Sequence, residues 1–313
     1  MYPFIKFFKE LSKDDVSIAG GKGASLGEMT QAGFPVPPGF VILALAFDDF
    51  LEQTNLNVEV ESALKKADPE KIHTIDDASE ILRSLIEKYP IPKQIEKNIL
   101  SAFDQLKAKY VAVRSSATAE DSATASWAGE LESYLGIQRK NLIKSVQQCW
   151  SSLFTPRAIF YRIEKKLSVQ HVSVAVVIQK MLESEVAGVC FTVHPVTRDH
   201  NQMVIEASWG LGESVVSGKV TPDTYIVNKE KMSILDISVA KQTTEIIRVG
   251  QITQERKVPI AKANQQCLSD KNILELAKIC QNIEKHYGFP CDIEWAQEKG
   301  KFYIVQSRPI TTL

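Results

Sequence analysis

The sequence predicts an α+β protein built from two lobes, and three observations favour that class. The chain has 313 residues, which is more than one hydrophobic core usually organises. Residues 44–109 carry apolar side chains at the three- and four-residue spacings of helices. Residues 173–247 instead contain β-branched and alternating runs that are typical of strands. We therefore expect a helix-rich lobe over residues 1–182 and a sheet-rich lobe over residues 183–313.

Composition and charge exclude several classes of protein. A chain with 44% hydrophobic and 24% charged residues has the composition of an ordinary soluble globular protein. Its 37 basic and 38 acidic residues leave a net charge of −1, whereas a general nucleic-acid binder carries a strong basic excess. No apolar run reaches transmembrane length, and residues 1–10 lack a signal-peptide pattern. We expect a cytoplasmic protein that binds neither nucleic acid nor membranes.

Neither the cysteines nor the histidines form a recognisable ligand pattern. The five cysteines are scattered without a C-x-x-C pair or a zinc spacing, which indicates reduced thiols rather than a disulfide frame. The histidines, at positions 73, 171, 194, 200 and 286, show no ligand spacing either. The GxSxG, HExxH and kinase HRD signatures are absent. The candidate chemistry therefore lies in other residue types.

A glycine-rich segment, Ala19 to Met29, runs into a helical pattern near the start of the chain. Glycines let the backbone approach an anion closely, a helix start offers free N–H groups, and Lys22 adds a point charge. The spacing of a Walker A motif is absent. A phosphate-binding loop and a plain turn with a surface lysine both fit this segment.

Two arginines lie where a phosphate ligand would be useful. A short buried strand over residues 110–113 delivers Arg114 into a loop of small hydroxylated residues, which suits either a lid over phosphates or a mobile surface loop. Arg157 follows Pro156 in the first turn of a predicted helix. Because a cation gains nothing from the dipole at a helix N-terminus, we expect Arg157 to face a negative group.

The last hairpin carries the densest polar pattern. Alternating runs over residues 291–297 and 301–307 predict two strands joined by a three-residue loop, with Gly300 supplying a positive φ at the third position. Such a loop pairs Gln297 with Lys301. Since side chains alternate with period two, it also places four polar residues on one face, whereas a loop of even length would split them. The four are Asp292, Glu294, Gln306 and Arg308.

Carboxylate and amide oxygens are ligands that Mg²⁺ accepts, and Mg²⁺ usually shares its coordination sphere with phosphates. The hairpin face is therefore a candidate site for a divalent cation with phosphate. A solvated sheet face carrying surface ion pairs fits the same pattern.

Eight stretches occur together and in a fixed order along the chain: GGKGASLGEM (20–29), VPPGFVI (36–42), VAVRSSATAED (111–121), SLFTPRAIFYR (152–162), VAVVIQKM (174–181), GVCFTVHPVTRD (188–199), IEASWGLGESVVSGKVTPD (205–223) and DIEWA with FYIVQSRPI (292–310). In this combination the sequence resembles the N-terminal ATP-grasp nucleotide-binding domain of the phosphoenolpyruvate synthase and pyruvate phosphate dikinase family. The same domain occurs in rifampicin phosphotransferases. The resemblance implies an ATP-grasp fold in which two lobes hold a nucleotide between them.

The resemblance also implies roles for individual residues. The three expected catalytic residues are Lys22, Arg114 and Arg308, which are expected to bind the phosphates of ATP. The β- and γ-phosphates are assigned to Arg308. The expected Mg²⁺ ligands are Glu294 and Gln306, supported by Asp292.

The adenine end of the nucleotide is assigned to the segment between two predicted strands. The side chains of Gln179 and Met181 are expected to line the base, and the backbone of Lys180 and Leu182 to contact it, with Glu183 beside them. Glu213 and Arg157 are expected to make secondary contacts. Glu130 stands where the family usually has glutamine, so the resemblance does not assign a contact in the lid to this residue.

The resemblance implies a kinase module that transfers a phosphoryl group from Mg-ATP to a histidine on a separate domain, and ultimately to pyruvate. The phosphohistidine domain and the pyruvate-binding domain are the expected partners. No histidine of this chain lies in a T-S-H-A-A-like motif, so the chain is either a piece of a longer enzyme or a standalone ATP-binding subunit. The alternatives are the ATP-binding domain of a rifampicin phosphotransferase and a non-catalytic regulatory module. The intact polar set of the hairpin argues against the regulatory module.

Overall fold

The computed structural model describes residues 3–118, 132–164, 173–250 and 252–311. The chain forms two compact units, the first made of residues 1–31 and 38–181 and the second of residues 32–37 and 182–313. Helices and antiparallel sheets occur together, which confirms the α+β class. The division into lobes over 1–182 and 183–313 stays a prediction of domain organisation; the two units differ from those ranges at residues 32–37 and at Leu182, which belong to the second unit.

The first unit combines a five-stranded sheet, in the order β1-β2-β5-β3-β4, with a set of helices. Its elements are β1 (Ile5–Phe7), α1 (Val16–Gln31), β2 (Gly39–Ile42), α2 (Ala44–Gln53), α3 (Leu56–Lys66), α4 (Ile72–Lys88), α5 (Lys93–Leu106), β3 (Val111–Ala117), β4 (Ser133–Ile137), α6 (Arg139–Ser151), α7 (Pro156–Glu164) and β5 (Val174–Lys180). The mainly helical character predicted for residues 44–109 is confirmed. The apolar spacing there is the stripe that each helix buries.

The two faces of this sheet have different coverings. On one face Val113 and Ile178 pack into a core with residues of α2 to α7, and this core includes the fully buried Trp150. On the other face Arg114 pairs with Val177, and Val177 pairs with Val41, so the three share that face. Helix α1 packs there, since a Cβ added at its Gly23 would lie 3.0 Å from a methyl group of Val41.

The second unit is built on a six-stranded sheet in the order β13-β12-β6-β7-β8-β9, with a separate two-stranded ladder of β10 and β11. Its elements are β6 (Val186–Phe191), β7 (Gln202–Trp209), α8 (Glu213–Val216), β8 (Asp223–Asn228), β9 (Ser233–Ser238), β10 (Thr244–Val249), β11 (Ile252–Lys257), α9 (Asp270–Tyr287), β12 (Cys291–Glu298) and β13 (Lys301–Pro309).

Helix α9 closes one face of that sheet. Ser269 caps its start by accepting a hydrogen bond from the backbone of Asn272, and Gly288, with φ of 77°, ends it in the left-handed region. Cys280 of its buried stripe meets Cys190 of β6, which pairs with Ile293 of β12. The apolar side of the sheet therefore faces α9, and alternation turns the polar residues of β12 to the opposite side.

All five cysteines are buried and unpaired, as their scatter in the sequence predicted. Within the ranges that the structure describes, no helix is both long and apolar enough to cross a lipid bilayer.

Candidate functional site

The hairpin of β12 and β13 turns differently from the prediction. Glu298 pairs with Lys301, so the loop has two residues, Lys299 and Gly300, rather than three. Both have positive φ, 51° and 72°, as a type I′ turn requires. The predicted pairing of Gln297 with Lys301 was therefore wrong, because local sequence does not distinguish the two loop lengths.

A β-bulge compensates for the shorter turn. Trp295 pairs with Ile304 and Glu294 pairs with Gln306, which leaves Val305 as an additional residue on β13. Without this bulge a two-residue loop would place Glu294 and Gln306 on opposite faces. With it, Asp292 also lies opposite Arg308. The structure thus brings all four polar residues of the hairpin to one face by a different route from the predicted one.

Asp292 and Arg308 form an ion pair on that face. Two nitrogens of the Arg308 guanidinium, Nε and Nη2, donate to Oδ2 of Asp292 at 2.9 and 2.7 Å. Burial raises the pKa of Asp292, and the nearby Glu294 carboxylate raises it further, while Arg308 opposes both effects. The other oxygen, Oδ1, is buried with no hydrogen-bond partner among the described residues. A buried acceptor without a donor is costly, so this oxygen suits a cation or a bound donor.

Glu294 and Gln306 can hold a metal ion, because they lie directly opposite each other and supply a carboxylate and an amide oxygen. No cluster of three or more His, Cys, Asp or Glu side chains in the described part of the chain could hold a metal by itself. The donor set therefore fits a cation that takes its remaining oxygens from phosphate and water.

A third carboxylate on this face was missed in the sequence. Val189 of β6 pairs with Glu294 on one side and with Glu206 of β7 on the other, so the three residues form one row across the sheet. Burial raises the pKa of Glu206, and the charge of Asp292 raises it further. The available signal was that Glu206 is the single charged residue in the apolar strand Gln202–Trp209.

The same sheet face becomes apolar beside the carboxylates. Leu182, Ala187 and Ala296 form a small cluster on which two partly buried side chains pack, Tyr303 and Val305. Ala296 lies two residues from Glu294 on β12, so alternation places both on one face. One surface thus offers a polar end and an apolar end, as a ligand with a charged part and a flat apolar part would need.

The two other acidic candidates of this unit lie outside its strands. Glu183 is exposed, and its backbone N–H donates to Glu298 Oε1 at 2.6 Å. Its carboxylate accepts a hydrogen bond of 2.7 Å from Arg248 Nε. Glu213 is the first residue of α8, after a glycine-rich turn in which Gly210 has φ of 81°.

In the first unit the glycine-rich segment is part of α1 rather than a separate loop before it. Gly20 interrupts the helix with φ of 68° and ψ of 170°, and a Cβ there would lie 2.2 Å from Ser116 Oγ. That hydroxyl donates to Ala19 O at 3.0 Å and accepts from Gly23 N at 3.3 Å. Ser116 therefore caps the helical turn that carries the half-buried Lys22.

Arg114 and Gln179 lie on one face of the first unit's sheet. Gln179 pairs with Ala112, two residues before Arg114 on β3. The predicted strand ended too early, since β3 continues through Arg114 to Ala117. Gln179 is 2% exposed, and its Nε2 has no hydrogen-bond partner within the described ranges. A buried amide that lacks an acceptor fits a ligand that offers one.

The remaining candidates of the first unit lie at its periphery. Lys180 is exposed, with its backbone N–H bonded to Pro38 O at 2.9 Å. Met181 N donates to Tyr110 O at 3.1 Å. Arg157 is exposed in the first turn of α7, and the expectation that it meets a negative group stays a prediction. Glu130 and the part of the predicted loop that follows residue 118 lie outside the described residues.

Comparison with known proteins supports one family throughout. The family model described as pyruvate phosphate dikinase, AMP/ATP-binding domain, matches residues 16–313. A probable phosphoenolpyruvate synthase of Methanocaldococcus jannaschii is 49% identical over 99% of this chain and 27% of its own length. The corresponding protein of Methanothermobacter thermautotrophicus is 44% identical over 100% of this chain and 47% of its own.

The phosphoenolpyruvate synthase of Pyrococcus furiosus is 42% identical over 100% of this chain and 44% of its own length. The chain therefore spans less than half the length of these three relatives. The family resemblance of the sequence motifs is confirmed. With a match over residues 16–313, this chain belongs to the pyruvate phosphate dikinase AMP/ATP-binding domain family.

Proposed function

We propose that this chain is the ATP-binding kinase module of a phosphoenolpyruvate synthase-like phosphotransferase. The observation that carries the proposal is the hairpin face. It combines the opposed Glu294 and Gln306 with an Asp292–Arg308 ion pair whose second carboxylate oxygen lacks a partner among the described residues. Relatives called phosphoenolpyruvate synthase match the chain along its whole length.

In this proposal Glu294 and Gln306 hold Mg²⁺, which when bound neutralises charge on the phosphates. Asp292 fixes the guanidinium of Arg308 through its two nitrogens, so that Arg308 presents its remaining donors to phosphate oxygens. Lys22 and Arg114 supply further positive charge for the phosphates. The contribution of this module to catalysis is then mainly positioning and charge stabilisation, since none of its own residues is proposed to form a covalent bond with the phosphoryl group.

The base of the nucleotide is assigned to Gln179 and Met181, with backbone contacts from Lys180 and Leu182. Gln179 supports this assignment, because its buried amide nitrogen lacks an acceptor within the described ranges. Glu183, Glu213 and Arg157 are proposed as further nucleotide contacts.

The phosphoryl acceptor is proposed to be a histidine on a separate domain, from which the group passes to pyruvate on another. The length of the relatives supports the presence of further domains, since their chains are more than twice as long as the matched region. Both domains are then partners of this chain, in the same polypeptide or in another.

Calorimetric titration with Mg-ATP tests the proposal. The unaltered chain is expected to bind ATP in a metal-dependent manner. Glu294→Ala and Lys22→Ala should each weaken binding about tenfold or more, because a hydrogen bond to a charged group contributes ~1.5–3 kcal/mol. Glu275→Ala, an exposed carboxylate of α9, is the matched control and should bind normally.

Two outcomes would contradict the proposal. One is a folded chain, verified by circular dichroism, that does not bind Mg-ATP. The other is binding that survives in both site variants as well as in the Glu275→Ala control.

A further inference from the structure

Strand β10 contacts the loop that carries Glu183 and the turn that precedes Glu213, the two acidic residues outside the hairpin that are proposed to contact the nucleotide. At one end of β10, Arg248 donates from Nε to Glu183 Oε1 at 2.7 Å, and its Nη2 contacts the same oxygen. The third nitrogen, Nη1, donates to the backbone oxygen of Gly250. The Arg248 guanidinium is thus fixed by a backbone oxygen of its own hairpin while its other two nitrogens contact Glu183.

The exposures of the two side chains show which group is presented to solvent. The Arg248 side chain is 13% exposed and that of Glu183 is 51% exposed. A planar guanidinium fixed in this way loses little further freedom when it orients a carboxylate. The backbone of Glu183 is also fixed, by its bond to Glu298 Oε1. The Glu183 carboxylate is therefore pre-oriented, on a side chain of which half is exposed.

The turn that precedes Glu213 contacts the same strand, β10. Leu211 N donates to Ile246 O of β10 at 2.8 Å. A Cβ at Gly210 would lie 2.3 Å from that carbonyl oxygen, so only glycine permits this approach. Ser184 Oγ donates to Gly210 O at 2.9 Å, which joins this turn to the residue after Glu183. Strand β10 therefore braces the loop that carries Glu183 and the turn that precedes Glu213.

We propose that Arg248 is a positioning residue of the nucleotide site and acts through Glu183; this inference rests on the proposed function. A carboxylate repels phosphate and accepts hydrogen bonds, so Glu183 is suited to the donors of the nucleoside, its hydroxyls or its exocyclic amine. Arg248 keeps the carboxylate directed outward and limits the freedom that Glu183 loses when the nucleoside binds.

The same ladder provides a matched control. Arg256 of β11 donates from Nε and Nη2 to Glu245 Oε1 at 3.0 and 2.7 Å, and these two residues pair directly across the strands. The Arg256–Glu245 pair thus has the same chemistry as the Arg248–Glu183 pair, and both arginines lie in the same hairpin. Neither of its members is a proposed nucleotide contact.

The test is a double-mutant cycle in the 313-residue chain, with the dissociation constant of Mg-ATP as the readout. Arg248→Ala should weaken binding about fivefold, the upper range of a single partly exposed ion pair. Glu183→Ala should weaken it at least as much, and the double variant should bind like Glu183→Ala alone, because Arg248 acts through that carboxylate. Arg256→Ala should bind like the unaltered chain.

A second ligand separates positioning from general disturbance of the fold. Magnesium tripolyphosphate has no nucleoside, so Arg248→Ala should leave its binding unchanged. Arg248→Lys keeps the charge but not the forked geometry, and it covers the case in which Arg248→Ala fails to fold. Its affinity for Mg-ATP should lie between that of the unaltered chain and that of Glu183→Ala.

Normal ATP affinity in folded Arg248→Ala, additive effects of the two substitutions, or equal losses for ATP and tripolyphosphate would each overturn the positioning role. An unaltered chain that binds no Mg-ATP would overturn the proposed function itself, and this inference with it.

Discussion

The sheets of the two units present their polar side chains in different ways. In the first unit, Arg114 and Gln179 lie on strands whose pairing is uninterrupted from Val111 to Ala117, so period-two alternation alone sets their face. In the second unit, Glu294 meets Gln306 only because Val305 is an additional residue on β13. Regular alternation of side chains can be read from local sequence, whereas a bulge depends on the partner strand.

The largest expected effect comes from cancelling the bulge. Insertion of one alanine between Glu294 and Trp295 gives β12 a residue to pair with Val305. Regular alternation would then turn Glu294 and Gln306 toward α9. Because burial of unpaired polar groups costs several kcal/mol and the cation ligands would leave their face, we expect Mg-ATP binding to fall by roughly a hundredfold or more. Calorimetric titration measures this loss.

Deletion of Val305 is the matched control for the insertion. It also removes the bulge, but it leaves Trp295 paired with Ile304 and Glu294 paired with Gln306. Binding should therefore change by less than about tenfold, with a loss of stability of about 1 kcal/mol from the missing apolar contacts. Equal effects of the insertion and the deletion would show that face alternation is not what matters.

A smaller effect is expected from Gly20→Ala in the first unit. Its Cβ would lie 2.2 Å from Ser116 Oγ and 2.4 Å from the Ser116 carbonyl oxygen, at a φ of 68°. Left-handed strain and overpacking together should lower the free energy of unfolding by about 2–4 kcal/mol, as measured by urea denaturation.

Gly33→Ala separates the two contributions, because Gly33 has φ of 80° and no atom within 4 Å of the added Cβ. It should cost only the conformational strain, roughly 1–2 kcal/mol. If the two substitutions lower the free energy of unfolding equally, the close approach of α1 to β3 at Ser116 does not add to the destabilisation by Gly20→Ala.

The smallest effect concerns Glu206. Its pKa is raised by burial and by Asp292, so the native state binds this proton more tightly than the unfolded chain does. Stability is therefore lost as pH rises through the native pKa, and Glu206→Gln should stabilise the protein at pH 7 by a few tenths of a kcal/mol, the scale of cross-strand pairs. Below the ordinary pKa of 4.5 the difference should vanish.

Urea denaturation at several pH values measures the effect, with Glu275→Gln on the exposed side of α9 as the control. A Glu206→Gln substitution that destabilises the protein, or a gain in stability that is the same at all pH values, would contradict the repulsion between Glu206 and Asp292.

Much of the fold could be predicted because its signals are local. The apolar spacing over residues 44–109 predicted the helices α2 to α5, and the alternation of β12 and β13 predicted a hairpin. The order of the motifs predicted the family. The four polar residues of the hairpin were also predicted to share one face. That prediction relied on a three-residue loop, whereas the structure has a two-residue loop with a bulge.

What could not be predicted depends on residues far apart in the chain. Glu206 joins the hairpin face through Val189, which pairs with both Glu206 and Glu294. The interruption of α1 at Gly20 depends on Ser116, 96 positions later in the sequence. No local pattern encodes such contacts, because they arise only when separate strands and helices pack.

The α+β class, the amphipathic helices, the family and the identity of the polar residues all follow from the amino-acid sequence, since periodicity and motif order are properties of short segments. Tertiary structure alone decided the bulge at Val305, the capping of α1 by Ser116 and the bracing of Glu183 by Arg248. The physical reason is that register and side-chain pairing are set by the packing of distant segments against one another, where the burial of one face selects a single arrangement.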